Sequence, residues 1–500
     1  MAFLIGGANT LSTGDFVTNS LRLNDDDSPS LSFDLSSPNT DKFTISFWIK
    51  LTGARSYVAS LGKRLTGEAG DDASINIDQG STGRLGINAY DGVADATVAA
   101  YNSNTGDEGA MLRDTSAWYN LIYAFDTGQG TAGNRLKWYI NGVLQSGYNT
   151  TTTPAEDADL FPSSGSMFRI GRALSTETRY ADCYIAQYYY VDGQQYDHTY
   201  FGETNDNGVW VPVKNGTGAG GAITFGTNGF YLEFKETGTS ANASGIGADT
   251  SGNDNHLTPA NLAAIDITPD TPQNNFCTLN TLLRNATDTD QSYKEGNLIY
   301  TNETSNFRTV IGTMFAQNGK WYFEMEWTGG SQAFIGVVRD DDINNHENSY
   351  LGGSGYAAGG SIGYYSATGE SNGQLYTGGG GYSTWNASWD VDDIVMCAMD
   401  LDNNKLYFGL NGTWQASGDP TSGATGTGSA YDLASGYHWG PAATTQYHSS
   451  VGNGVISLNF GFPSFTISSG NADANGYGNF EFAPPSGYYA LCTKNLAEFG

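Results

Sequence analysis

Cysteine is scarce in this chain. Cys183, Cys277, Cys397 and Cys492 stand far apart and form no Cys-x-x-Cys pair. That spacing excludes finger-type metal sites, and four cysteines in 500 residues are too few for a disulfide scaffold. Isolated buried thiols are expected, a state compatible with assembly in a reducing cytosol. Positive charge is scarce too: 22 Lys and Arg face 52 Asp and Glu, for a net charge of −30. Such a surface repels phosphate backbones and anionic bilayers, so nucleic acid is excluded as a partner. Its plain consequence is solubility. No run approaches the ~20 apolar residues of a membrane span, so membrane insertion is not expected. The opening Met1-Ala-Phe-Leu-Ile-Gly-Gly-Ala8 has no basic stretch, so neither a leader nor an anchor is expected. Heptads, collagen periods and β-helix repeats are absent, and with them any fibrous shaft.

What is present is glycine (67), tyrosine (31) and short alternating apolar blocks. Aromatic rings suit a half-buried pleated face, and glycine suits tight turns. Phe43, Ile45, Phe47 and Ile49 alternate with Thr44, Ser46, Trp48 and Lys50, the period-2 pattern of a sheet with one core face. Two strands run directly into Asn-Gly: Leu136-Lys-Trp-Tyr-Ile-Asn-Gly142 and Leu406-Tyr-Phe-Gly-Leu-Asn-Gly412. Asn-Gly between alternating apolar residues is the strongest short-range hairpin signal, because a type I′ turn needs positive φ twice. Two such hairpins so far apart predict two separate antiparallel β-sandwiches (jelly rolls) in an all-β chain with little helix. We divide the chain into an arm (1–15), a first sandwich (16–257), a proline-bearing connector (258–297) and a second sandwich (298–500). A turn or two of helix is expected after Pro259.

The first block resembles the laminin-G/concanavalin A-like lectin superfamily through Ser20-Leu-Arg-Leu-Asn24, Phe43–Lys50, Ser116-Ala-Trp-Tyr119 and Leu136–Gly142. In many such domains a strand followed by Asp-x-Ser-Gly-Asn comes first. Here Tyr231-Leu-Glu-Phe234 and Asp249-Thr-Ser-Gly-Asn253 come last, so a late strand is expected to close the sandwich, as in a circular permutation. The second block resembles the SPRY domain through Gly319-Lys-Trp-Tyr-Phe-Glu324, Ile335-Gly-Val337, Asp400–Phe408, Asn411-Gly412 and Asn459-Phe-Gly461. Together with Asp270–Asn280 and Pro484–Thr493, the whole is similar to virion proteins of tailed bacteriophages, marine ones especially. The resemblance implies a virion protein exposed on the particle surface, with sister copies (a homo-oligomer) and other virion proteins as partners.

Catalysis has little to stand on. Glu324 and Glu326 share a strand face at a spacing that could suit a glycosidase pair, but the simpler reading is two exposed carboxylates on a strand rim. The five histidines show no zinc spacing, and no phosphate-binding Gly-Lys loop occurs. No catalytic residue is assigned, and the chain is not expected to be an enzyme. Ca²⁺, which takes about 6–8 oxygens, has candidate ligands in Asp249, Asn253 and Asp254 and in Asp340, Asp341 and Asp342 with Asn344 and Asn345. Asp25, Asp26 and Asp27 form a third acidic turn. For glycan binding, Tyr376, Tyr382 and Trp385 lie with Asn372, Gln374 and Asn386 about a glycine-rich loop, while Trp389 reads as core. The expected function is non-covalent recognition of a host-surface glycan or protein by a fibre or tail-associated adhesin. The rival is a head-decoration, collar or adaptor protein that binds other virion proteins, and a polysaccharide-degrading enzyme is a third reading.

Overall fold

The computed structural model describes all residues except 1–3, 6–15, 53–54, 64–71, 79–83, 92–95, 103–111, 113, 146–149, 162–164, 173–179, 284–289, 345–348, 370 and 372. For 4–5, 55–63, 72–78, 84–91, 96–102 and 150–152 only the backbone is described. The fold is nearly all β: strand holds 40% of the residues and helix 8%. Most of that helix is single 3-10 turns, one of them at Ala264–Asp266; the α-helix is Thr493–Phe499. No helix among the described residues is long and apolar enough to cross a membrane.

One compact unit is Leu11–Gln273. Its two sheets each have eight strands. The first is centred on Lys42–Leu51, flanked by Trp118–Asp126 and by Cys183–Asp192. Register puts Phe43 opposite Phe125, Ile45 opposite Tyr123 and Ile49 opposite Ile185. The alternation read from the sequence therefore becomes one apolar face, where Phe43, Ile45, Phe47 and Ile49 join Leu121, Tyr123 and Trp138 in a buried core. Along Cys183–Asp192 the register slips between Ala186 and Tyr189, where Gln187 has a positive φ of 45°. This bulge keeps Tyr188 and Tyr190 facing inward after Cys183 and Ile185, so the strand stays on one core despite breaking its period.

The late strand Phe230–Leu232 pairs with Tyr188–Tyr190 and so belongs to this sandwich, as the order of the motifs predicts. Two further short strands, Thr258–Ala260 and Ile267–Thr268, pair with Ser30–Asp34 and Ser20–Leu23; both lie in the stretch read above as a connector. On the outer face of the first sheet a cross-strand row runs Arg22, Tyr184, Lys50, Trp118. Arg22 and Lys50 are both buried. Asp270 answers the Lys50 ammonium at 2.8 Å and also accepts the Trp118 indole N–H at 3.1 Å. Asp266 stands 3.7 Å from Arg22.

The other unit is Asn274–Gly500, joined by the strand Leu4–Ile5 from the start of the chain, which pairs in parallel with Met314–Phe315. A nine-stranded sheet centred on Lys320–Gly329 and a six-stranded sheet containing Gln332–Arg339 and Ser361–Ala367 make its sandwich. Phe323 and Met325 face Cys397 and Val395 across the first of these, and Phe408 reaches Tyr364 of the second with ring centroids 5.3 Å apart. The outer face of the nine-stranded sheet is covered by the last segment of the chain, with Phe480 edge-on to Tyr322 at 5.0 Å. The loop after residue 348 covers the six-stranded sheet, placing Leu351 and Tyr356 over Phe334 and Val338. All four cysteines are buried and none is in a disulfide.

Candidate functional site

The strands Gln374–Tyr376 and Tyr382–Thr384 form a hairpin at one edge of the six-stranded sheet. Register places Gln374 opposite Tyr365 and Leu375 opposite Tyr364. Neighbours along a strand point to opposite faces, so Leu375 and Tyr364 go to the core while Gln374, Tyr376 and Tyr365 go outward. There Tyr376 meets Tyr350 at 5.3 Å, Phe334 at 5.4 Å and Tyr365 at 5.6 Å, all edge-on. Tyr382 stacks on Tyr376 at 5.1 Å with the rings 20° from parallel. Tyr350, Tyr365 and Tyr376 are half-buried, and Tyr382 is 64% exposed. The Tyr376 hydroxyl donates to Gln374 Oε1 at 2.9 Å. Three consecutive glycines with positive φ, Gly378, Gly379 and Gly380, turn the hairpin; a Cβ at Gly378 would meet the Ala357 carbonyl at 2.1 Å. The turn is thus seated on the covering loop rather than projecting from it.

The structure brings together three of the residues predicted for glycan contact, Gln374, Tyr376 and Tyr382, and sets Trp385 apart from them. Trp385 packs on the other face of the sheet, edge-on to Tyr364 at 5.0 Å and to Phe408 at 5.9 Å. Asn386 accepts a hydrogen bond from the Ala387 N–H, and Asn372 lies outside the described residues. Trp389 is buried, as read. Tyr350, Tyr365 and Phe334 were missed. The odd-even alternation of Ser361–Ala367 against Gln374–Tyr376 held the needed signal, but only a known register converts it into a shared face.

Four of the carboxylates offered for calcium, Asp249, Asp340, Asp341 and Asp342, are engaged by other protein groups. Asp249 Oδ1 accepts the Tyr231 and Ser251 N–H groups, both at 2.8 Å, and Oδ2 accepts the Ser251 hydroxyl at 2.8 Å and the Asn255 N–H at 2.9 Å. Asn253 turns its amide N–H groups to the Gly226 and Gly229 carbonyls, and Asp254 projects outward with its side chain 89% exposed. Asp340 bonds His438 at 3.0 Å, Asp341 takes a two-pronged contact from Arg339, and Asp342 accepts the Ala357 N–H at 2.8 Å. Three consecutive aspartates therefore serve three different partners. Asn345 lies outside the described residues. Among the described residues no group of three His, Cys, Asp or Glu side chains is placed to hold a metal ion.

Glu324 corrects an expectation. Read as exposed on a strand rim, it is fully buried. Its two oxygens accept four hydrogen bonds: from the Tyr322 hydroxyl and Phe482 N–H at 2.8 Å, and from the Asn459 amide and Glu481 N–H at 3.0 Å. Burial nevertheless pushes its carboxyl up to about 7, against the pull of those donors. The covering segment around residue 481 causes the burial, and nothing in the period of Lys320–Gly329 announces it. Glu326 is half-buried.

Two family models match the chain. That of the concanavalin A-like lectin/glucanases superfamily matches residues 24–193, and that of the SPRY domain matches residues 320–431. Domains of these two kinds are commonly ligand-binding or adhesion modules rather than catalysts. Among solved structures, domains LG4-5 of the mouse laminin alpha1 chain are similar at 8% identity over 97% of this chain and 98% of that one, with a TM-score of 0.29. The SPRY domain of human HERC1 is similar at 15% identity over 34% of this chain and 89% of that one, with a TM-score of 0.24. A native heptameric SAP-like pentraxin from Limulus polyphemus is similar at 14% identity over 37% of this chain and 80% of that one, also at 0.24. No curated protein matches the sequence.

Proposed function

We propose that this protein is a structural component of a tailed-bacteriophage virion, exposed on the particle surface, and that it acts as a fibre or tail-associated adhesin. It recognises a host-surface glycan or protein without covalent chemistry. The observation that carries this reading is the outward tyrosine cluster: Tyr382, 64% exposed, rests on the half-buried rings of Tyr376, Tyr365 and Tyr350. Aromatic side chains offer large contact area at low entropic cost, and a buried layer beneath them fixes their orientation. Weak single sites become effective when copies assemble, so a homo-oligomer on the particle, docked on other virion proteins, fits the same reading.

The test is adsorption of the purified full chain to host cells, together with its ability to block infection. Saturable adsorption that Tyr382→Ala weakens supports the adhesin. Absence of cell binding with tight binding to capsid or tail overturns it in favour of the decoration, collar or adaptor role, which the lack of a fibrous repeat also suits.

A further inference from the structure

We infer that the tyrosine cluster binds a neutral hexopyranose glycan, with the Tyr382 ring as the stacking face and the Gln374 amide as the group that reads a hydroxyl. This inference rests on the adhesin reading above and narrows its ligand to one chemical class.

The geometry supplies the stacking face. Tyr382 sits on an edge strand whose three residues, Tyr382–Thr384, are all exposed, and one side of its ring is occupied by Tyr376. The opposite side is left to solvent. An aromatic face is electron-rich, so it attracts the weakly positive C–H groups that a pyranose presents on its flatter side. The Tyr376 ring is in turn held by Phe334, Tyr350 and Tyr365, so the platform is set before a ligand arrives. A sugar needs hydrogen-bonding groups beside the face as well. Gln374 uses Oε1 to accept the Tyr376 hydroxyl, and among the described residues no protein acceptor takes its amide N–H groups. Those donors lie on the same face of the same strand as Tyr376 and point a hydrogen bond toward a ring hydroxyl.

Charge selects the class. The chain carries a net charge of −30. A uronate or sialate would meet that repulsion, whereas a neutral hexopyranose would not. A protein partner of ordinary affinity would need about 800 Å² of surface on each side, far more than one exposed ring and its rim offer. A sugar of one or two rings matches this size.

The experiment measures retention of the full chain in gels or on columns carrying a soluble β-glucan, a galactomannan or polygalacturonate. Retention by at least one neutral polymer is expected, weakened about tenfold in Tyr382→Ala, which corresponds to a lost stacking contact. Tyr382→Phe should hold near the parent value, and Gln374→Ala should lose several-fold. Circular dichroism and melting of each variant confirm the fold, and the exposed edge position of Tyr382 favours the survival of its two variants. Retention by polygalacturonate alone, or neutral retention indifferent to Tyr382→Ala, overturns the inference. Host-cell adsorption that none of the neutral polymers competes for also overturns it while leaving the adhesin reading intact. Loss of cell adsorption altogether removes the adhesin reading instead.

Discussion

Asn141 and Asn411, in two unlike sandwiches, hold the same place and make the same bonds. Each is the first turn residue of an Asn-Gly hairpin, with φ of 47° and 46°. Each accepts the main-chain N–H of a residue on the neighbouring strand, Asn120 at 2.8 Å and Ile394 at 2.9 Å. Each returns its own N–H to that residue's carbonyl at 2.9 Å. Asn141→Ala and Asn411→Ala should each cost about 2 kcal/mol, from the left-handed backbone penalty and the lost bond. Chemical denaturation with a separate signal for each unit checks this, and an unchanged midpoint in either variant would refute it.

The glycines that follow are covered by aromatic rings, Gly142 by Trp210 and Gly412 by Phe482. A methyl at Gly142 would stand 2.5 Å from the Trp210 ring, and φ there is +75°. Gly142→Ala should therefore destabilise by about 2 kcal/mol or more, part strain and part clash. Trp210→Ala should remove the clash, so the second substitution costs less in that background. A double-mutant cycle on thermal or denaturant unfolding measures the coupling, and strict additivity would dismiss it.

Lys50 and Asp270 form a buried pair whose halves depend on one another. Lys50→Met leaves the carboxylate without its cation and should cost about 3–5 kcal/mol. The double variant Lys50→Met with Asp270→Leu should recover most of that loss, because the pair's attraction is largely offset by its desolvation. A double variant no more stable than the single one would show that Asp270 has another indispensable task.

Glu324 links stability to pH. Its folded carboxyl is raised to about 7 from 4.5, so the folded state binds its proton more tightly than the unfolded chain does. The resulting stabilisation is complete below about 4.5 and is lost as pH rises through about 7. Unfolding free energy of the parent, minus that of Glu324→Gln, should fall across that window and flatten above it. A difference curve that is level from pH 4 to 8 would contradict the raised carboxyl.

The thiols should be inert in the folded protein. All four are buried without a disulfide, and burial pushes Cys492 up to about 12 and Cys397 upward as well. Ellman's reagent should find essentially no reactive thiol in the native chain and four after guanidinium unfolding, and reductant should leave the melting temperature unchanged.

Strands were legible where apolar residues alternate, as in Phe43–Ile49, and turns were legible where Asn-Gly demands positive φ. The bulge at Gln187 was not, because two inward tyrosines beside an outward one look like a continuous run. Part of the candidate site was legible as composition: Gln374, Tyr376 and Tyr382 cluster in sequence and in space. Trp385 is equally close in sequence yet lies across the sheet, since a one-residue difference in register decides the face. The acidic turns illustrate the opposite limit. Asp249 looks like a metal ligand until its four donors are counted, and those donors come from residues 231, 251 and 255.

The parallel pairing of Leu4–Ile5 with Met314–Phe315 has a bearing on how the chain is made. Leu4 leaves the ribosome long before Met314, so this strand has no partner during synthesis of the entire first sandwich. Folding that proceeds from the first domain made must leave it unpaired meanwhile. The C-terminal unit is then finished from its far end, by the piece of chain that has waited longest.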